Sequence, residues 1–435
     1  MHPFFMTYEE ALNLAYAQLP VFHRDGRSAL RLGLTNTANF CEYIGNPQNR
    51  FRSIHIAGTN GKGSTSHMLA AILQCAGYKV GLYTSPHLKN FTERIRVNGF
   101  EIDRQRVADF IERHQDNFIR FGLSFFELTV GMAFEEFARQ KVDVAVIETG
   151  LGGLLDSTNV IQPVLSIITN VSYDHMDILG SSLSEIAAQK AGIIKYRTPI
   201  VVSQADQTIA DVFRKEADRV EAPFFLANLR FQVKKYFSHK GLLRLFVQDQ
   251  DSHNLQKTYS LELNGLYQRF NLPGILQATE ELKKQGFMIS MEDIDLGLSQ
   301  TVALTGLKGR WQKIGVDPLT YCDTGHNEAG VAAILECIRA TPHAQLRIIF
   351  GCVRDKDVTK LIQKLPPIAM YIFSQASSPR AFPSSELQEL AKAYDLHGIS
   401  IQNVNEALTY ARAQAHPNDL IVVCGSTDLM SVLQN

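Results

Sequence analysis

The residues with the clearest chemical purpose lie in Ser53–Thr65, SIHIAGTNGKGST. A short apolar strand runs into a glycine-rich turn that carries a lysine and two hydroxyls, and a helix is expected from Ser66 to about Ala76. Glycines let the backbone curl so that its N–H groups converge on an anion, and the following helix adds the positive end of its dipole. Thr59, Asn60, Gly61, Lys62, Gly63, Ser64 and Thr65 therefore read as a phosphate-binding loop. Lys62 supplies a charge for the outer phosphates, and Ser64 or Thr65 a hydroxyl for magnesium. The loop departs from G-x-x-x-x-G-K-[ST]: Ile56 stands at the first glycine, and Gly63 separates Lys62 from Ser64.

Three further apolar strands end in polar residues: Lys79–Tyr83 before Ser85, Val142–Ile147 before Glu148, and Val164–Ile168 before Asp174 and His175. In a parallel sheet the carboxyl ends of the strands share one edge, where ligands bind. Topology would then gather residues that lie up to about a hundred positions apart. A strand ending in an acid beside a phosphate loop is the arrangement that holds magnesium against a nucleotide. Taken singly, Glu148 reads equally as a helix cap, Ser85 as a turn residue and His175 as a surface or core histidine. Lys190 lies among Ile186, Ala187, Ala188, Ala191 and Ile193. It either snorkels to solvent or is buried with a depressed pKa, nucleophilic enough to form a carbamate with carbon dioxide. Asp323 in DTGHN reads as a turn or cap residue or as a ligand, and Arg310 as a surface charge or a phosphate contact.

The elements that must position these residues point to two domains. The chain has 435 residues, 45% hydrophobic and 20% charged, with a formal net charge of −1. That size exceeds one ordinary core, and the charge balance argues against a nucleic-acid or membrane surface as main partner. The cysteines (Cys41, Cys75, Cys322, Cys337, Cys352, Cys424) form no C-x-x-C pair and read as reduced core residues of a cytoplasmic protein. The N-terminus, with Glu9 and Glu10, lacks a signal-peptide pattern, and no apolar run approaches the ~20 residues of a membrane span. Thr7 and Glu10 form a capping-box pattern before a helix to Leu19. Helices are expected at 103–120, 124–140, 184–192, 267–285 and 292–300, and alternating patterns from Ala222 to Leu263 suggest an antiparallel meander. From 319 to 424 strands and helices alternate as in a doubly wound α/β domain. The boundary is placed near residue 300, where Thr301–Lys308 shows no pattern. The fold class is thus α/β: residues 1–300 form a phosphate-loop ATPase-type domain with a mostly parallel sheet and a small antiparallel appendage, and residues 301–435 a Rossmann-like domain.

The chain resembles the folylpolyglutamate synthases and bifunctional dihydrofolate synthases of the Mur ligase superfamily. The resemblance rests on GTNGKGST (58–65), TSPHL (84–88), NFTERIRVNG (90–99), ETGLGG (148–153), DSTN (156–159), TNVSYDHMDILG (169–180), IAAQKAGIIK (186–195), GRWQ (309–312) and DTGHN (323–327). It implies that ATP phosphorylates a carboxylate of a folate or of dihydropteroate, and that the amino group of L-glutamate displaces the phosphate. It also implies Mg²⁺, and a monovalent cation such as K⁺ as a further candidate. Ser64, Ser85, Glu148 and His175 would ligate magnesium, with Lys190 as a carbamylated lysine. Asn271, Arg310 and Asp323 would contact ATP across the domain cleft, and His326 would lie near the reacting groups with Lys62 and Lys190. Phe125, Phe126 and Thr129, with Gly152, Gly153 and Asp156, would line the substrate pocket. Two positions depart from the family pattern: Leu154 replaces the arginine of GLGGRLD, and Gln189 the acid before the lysine. Both bear on substrate preference. The expected protein is a cytoplasmic monomer acting on small molecules, with no nucleic-acid or membrane partner. The rivals are a cell-wall peptide ligase, against which Gly63 argues, a non-catalytic ATP-dependent switch, and a phosphotransferase.

Overall fold

In the computed structural model, which describes residues 6–29, 33–252, 255–354 and 357–433, the long apolar runs of the first half become neighbouring parallel strands. Such runs suit strands covered on both faces. The strands are β1 (Arg52–Ala57), β2 (Val80–Tyr83), β3 (Ile95–Val97), β4 (Phe100–Glu101), β5 (Val144–Glu148), β6 (Leu165–Ile168), β7 (Ile200–Val202) and β8 (Phe224–Leu226). They form one sheet in the order β4-β3-β2-β5-β1-β6-β7-β8. Strands β2, β5, β1, β6, β7 and β8 run parallel, and β3 and β4 close one edge antiparallel. The register pairs Ile56 with Glu148, Tyr83 with Ile147 and Ala57 with Ile168. The four strand ends singled out by sequence are therefore adjacent and level.

The chain divides into two compact units. The first takes the chain up to Tyr236, then Arg244–Glu262 and Gln268–Gly306; the second takes Phe237–Leu243, Leu263–Tyr267 and the chain from Leu307 onward. Strands β9 (Phe231–His239), β10 (Leu242–Asp249) and β11 (Gln256–Leu261) form a separate three-stranded sheet in the order β11-β10-β9. The two-residue link from β9 to β10 can only make a hairpin. The second unit holds β12 (Gln312–Val316), β13 (Leu319–Cys322), β14 (Leu346–Phe350), β15 (Met370–Gln375), β16 (Gly398–Asn403) and β17 (Leu420–Cys424). Their order is β12-β13-β17-β14-β15-β16, parallel except for β12.

Several elements differ from the sequence reading. The helix after the phosphate loop starts at Lys62 and runs to Cys75, because Gly61 makes the left-handed turn and the chain becomes helical at once. The expected 103–120 helix is two, Arg104–His114 and Asn117–Phe121; the break lets Phe121 pack against Phe40 and Tyr43. Part of the expected meander, β8, joins the main parallel sheet instead. The patternless stretch after 300 contains a helix, Thr301–Thr305. Tertiary contact supports it: the Thr305 hydroxyl meets His67 Nδ1 at 2.8 Å. Strand β12, a half-exposed antiparallel edge, carried no readable pattern.

Candidate active site

The phosphate loop is held from below by the loop after β6. Thr59 N–H donates to Asn170 O (3.0 Å) and Asn60 N–H to Asn170 Oδ1 (3.1 Å). Asn60 O accepts from Thr169 Oγ1 (2.6 Å) and Asn170 Nδ2 (3.0 Å), and Thr59 Oγ1 donates to Ser172 O (3.2 Å). The turn at Gly61 has φ +87°, and a Cβ there would lie 2.3 Å from Asn271 Oδ1. Glycine is thus required both for the left-handed backbone and for the approach of Asn271. Lys62 Nζ donates to Gly58 O (3.1 Å) and Thr59 O (3.3 Å), so the ammonium lies over the loop. Gly63, Ser64 and Thr65 are buried in the first helical turn.

Helix Gln268–Lys284 adds a relay that the sequence reading missed. Gln268, fully buried, donates from Nε2 to Ser64 Oγ (3.1 Å) and accepts from Asn271 Nδ2 (2.7 Å). The available signal was the pair of amides three residues apart, which places both on one helix face.

Next along the same sheet edge, buried Glu148 accepts the Ser85 N–H at Oε2 (3.3 Å). His175 has left-handed backbone (φ +49°). Its N–H donates to Asp174 Oδ1 (2.9 Å), and its Nε2 lies 3.8 Å from the same oxygen. Lys190, on helix Leu183–Ala191, is 2% exposed. Burial first, then the charge of Lys62, pull its pKa down to about 7 against the opposing pull of Asp174 and Asp156. Snorkelling is thereby excluded, and the lysine lies within electrostatic reach of the loop and of Asp174. Among the described residues no group of three or more His, Cys, Asp or Glu could hold a metal. The donors present are a serine hydroxyl from the first turn of a helix, another from a loop, one carboxylate and one imidazole. So few charges suit a magnesium ion that keeps water and phosphate oxygens as its other ligands.

The loop after Glu148 is built onto the Lys190 helix. Leu154 N–H donates to Gln189 O (2.7 Å), and Asn159 Nδ2 donates to Leu154 O (3.1 Å) and Gly192 O (3.0 Å). A Cβ at Gly192 would lie 2.2 Å from Leu154 Cα. Asp156 is buried, which raises its pKa. Its carboxylate accepts from Leu151 N–H (2.7 Å), Thr158 N–H (3.0 Å) and Thr158 Oγ1 (2.5 Å), so it organises this loop. Gly152 packs beside Leu179 and Gly153 against the Gln189 and Lys190 carbonyls. On helix Phe125–Gln140, Thr129 is fully buried and its hydroxyl bonds back to Phe125 O (2.7 Å). Phe125 is also buried, stacked on Tyr16 at 4.6 Å. Phe126 is half-buried, its ring against Gly150 and 6.2 Å from Tyr83.

In the second unit Asp323 follows β13. Its buried carboxylate accepts from Tyr267 Oη (2.6 Å), Trp311 N–H (2.7 Å) and Gly325 N–H (2.9 Å). Burial raises its pKa, while the Tyr267 hydrogen bond and the Arg310 charge hold it back. Trp311 takes a left-handed backbone (φ +46°) and stacks on Tyr321 at 4.6 Å. Arg310 Nη1 donates to Thr324 Oγ1 and to Gly309 O (3.1 Å). His326 Nδ1 lies 3.1 Å from Thr324 O; a carbonyl only accepts, so the hydrogen is on Nδ1 and Nε2 is the basic nitrogen. Asn327 caps the helix Glu328–Ala340. Tyr267, the main partner of Asp323, had no signal in the sequence.

A phosphate loop and a strand-end acid on one sheet edge, a buried lysine on a helix within electrostatic reach of that loop, and a second α/β unit are the arrangement of the Mur ligase class. The family model for the Mur ligase middle domain matches residues 56–272, and that for the Mur ligase glutamate ligase domain residues 309–427. The chain is 31% identical to the dihydrofolate synthase/folylpolyglutamate synthase of Bacillus subtilis over 98% of each protein. It is 30% identical to the Escherichia coli enzyme of the same name, over 85% of this chain and 83% of that one. Among solved structures it is similar to Mycobacterium tuberculosis folylpolyglutamate synthase complexed with ADP (TM-score 0.84, 28% identity, 97% and 96% covered). It is also similar to E. coli FolC in complex with DHPP and ADP (TM-score 0.81, 26% identity, 97% and 95% covered). The chain belongs to the folylpolyglutamate synthase/dihydrofolate synthase family.

Proposed function

We propose that the protein adds L-glutamate to folates, and to dihydropteroate, at the expense of ATP and through an acyl phosphate. The observation that carries this reading is the single sheet edge on which the pinned phosphate loop, Ser85, Glu148 and His175 are gathered, with buried Lys190 on a helix within electrostatic reach of Lys62 and Asp174. A carboxylate is a poor electrophile and needs phosphorylation before an amine can displace its oxygen. In step one a substrate carboxylate oxygen attacks the γ-phosphorus and the bond to the β-phosphate oxygen breaks, releasing ADP. In step two the glutamate amine attacks the acyl carbon and phosphate leaves, forming the amide.

Residues Thr59–Thr65 and Asn271 are assigned to ATP, with Arg310 and Asp323 from the second unit. The loop N–H groups and Lys62 hold the phosphates in line for attack. Ser64, Ser85, Glu148 and His175 would hold magnesium, with Lys190 joining them as a carbamate; the ion would supply positive charge to the transferring phosphoryl group. His326, through Nε2, is assigned the proton that the glutamate amine loses. The substrate is assigned to the face of Phe126, with Phe125 and Thr129 behind it, and to the loop of Gly152, Gly153 and Asp156. Residues 1–300 would then carry the ATP and folate sites, and 301–435 the glutamate ligase part. We also assign the protein to the cytoplasm as a monomer. All six cysteines are free, as in a reducing compartment, and among the described residues no helix is long and apolar enough to cross a membrane.

The test is product mass after incubation with MgATP, L-glutamate and either dihydropteroate or a tetrahydrofolate. Both pterins should gain glutamate. No addition to either overturns the proposal, and addition to the folate alone restricts it to one activity. The same assay tests the loop. Gly61→Ala places a Cβ against Asn271 and strains the turn, and should raise the KM for ATP by more than about tenfold. An unchanged KM would remove Gly61 and Asn271 from the nucleotide site.

A further inference from the structure

Three arginines among the described residues are more than nine-tenths buried: Arg94, Arg96 and Arg347. Arg96 pairs with Glu101 at 2.9 Å, and Arg347 pairs with Asp419. Arg94, 4% exposed, meets no carboxylate within ion-pair distance among the described residues. Its one side-chain hydrogen bond with normal geometry runs from Nε to His87 Nδ1 (2.7 Å). A guanidinium stays charged in a protein, and a buried unpaired charge is strongly unfavourable. Such a cation calls for an anion that the described residues do not supply.

The surroundings indicate which anion. The bond to His87 occupies Nε, leaving the Nη1/Nη2 fork, whose geometry matches a carboxylate. The Phe125 ring lies 6.0 Å away. The Arg94 charge also acts on Tyr83, whose buried Oη has no partner of normal geometry. Arg94 O accepts the Thr84 N–H (3.0 Å), and the next residue, Ser85, donates to Glu148. The buried cation and the phenol it faces therefore stand next to the strand end proposed to carry out phosphoryl transfer.

We propose that Arg94, with Tyr83 beside it, binds a substrate carboxylate other than the one being activated. This rests on the reading of the protein as a folate ligase. The terminal glutamate of a folate has two carboxylates; one is phosphorylated and the other stays ionised throughout, available to the Arg94 fork. Dihydropteroate has one carboxylate, and the reaction consumes it. Arg94 is thus a determinant of specificity for glutamate-bearing over glutamate-free pterins.

The experiment pairs Arg94→Gln with changes in the ligand. Calorimetry in the presence of MgADP would compare tetrahydrofolate, each of the two monoamides of its glutamate, and tetrahydropteroate. In the wild type, tetrahydropteroate and one of the monoamides should bind about 100-fold more weakly than tetrahydrofolate. In Arg94→Gln those two penalties should shrink to less than about threefold, while the affinity for tetrahydropteroate itself is retained. Because the variant removes an uncompensated buried charge, its unliganded melting temperature should equal or exceed that of the wild type. An Arg94 that merely braces the loop would instead lower the melting temperature and weaken all four ligands alike, and that result would overturn the proposal. So would penalties as large in Arg94→Gln as in the wild type. A wild-type protein that bound none of the four would overturn the parent reading and this one with it. Glutamate addition by the wild type with unaltered ligand discrimination in the variant would overturn only the role of Arg94.

Discussion

Glu148→Ala should reduce glutamate addition by at least about 10³-fold, because a positioned carboxylate that holds the metal stabilises charge formed only in the transition state. Glu148 ends the second of four adjacent parallel strands. It is 5% exposed, and one of its oxygens accepts the backbone N–H of Ser85, itself on the neighbouring strand end. The fold should tolerate the change. Alanine fits a strand end, and removal of a buried acid offsets the loss of the Ser85 hydrogen bond, worth about 1 kcal/mol. The expected pattern is a thermal unfolding curve close to that of the wild type together with loss of glutamate addition. Activity surviving in Glu148→Ala would place the metal elsewhere.

Lys190→Met should be inactive by a similar factor and yet more stable than the wild type at neutral and acid pH. The folded pKa of Lys190 is about 7 against an ordinary 10.5. Between those two pH values the unfolded chain holds more protons than the folded one, so stability rises with pH across the window. Below pH 7 the full cost of charging the buried amine is present, roughly 5 kcal/mol as an order of magnitude. Methionine fills the same volume without that cost. Melting temperatures at pH 6, 8 and 10 should show the advantage of Lys190→Met largest at pH 6 and fading toward pH 10. A constant difference would mean that burial leaves Lys190 with the same proton affinity as in the unfolded chain. The same poise bears on chemistry. Carbon dioxide adds to the neutral amine, a C–N bond forms and a proton leaves. Carbamylation, read as the mass of one added carbon dioxide on Lys190, should therefore rise through pH 7 with bicarbonate and be absent in Lys190→Met.

Much of the site was legible because parallel α/β topology converts sequence order into place. Each buried strand of the first half ends in its own polar residue, and a parallel sheet has only one edge for those ends. The loop was legible because glycine, lysine and hydroxyl at that spacing have few other uses. The second unit was legible because its strands and helices alternate at clear periods. By contrast, β12 is a half-exposed edge and the Thr301–Thr305 helix is only five residues long, three of them β-branched. Neither has a periodicity to read: β12 is decided by its hairpin with β13, and the helix by its contact with the distant His67.

By itself the sequence determined the family motifs, the order of the elements and the identity of the groups at the strand ends, since these follow from local spacing and from the one-sided geometry of a parallel sheet. Only the tertiary structure decided the electrostatic state of those groups. It buried Lys190 near Lys62, aimed Tyr267 at Asp323 and Gln268 at Ser64, and enclosed Arg94 without a carboxylate partner among the described residues. Desolvation and pairing depend on every neighbour in space, and those neighbours come from segments as far apart as Ser64 and Gln268.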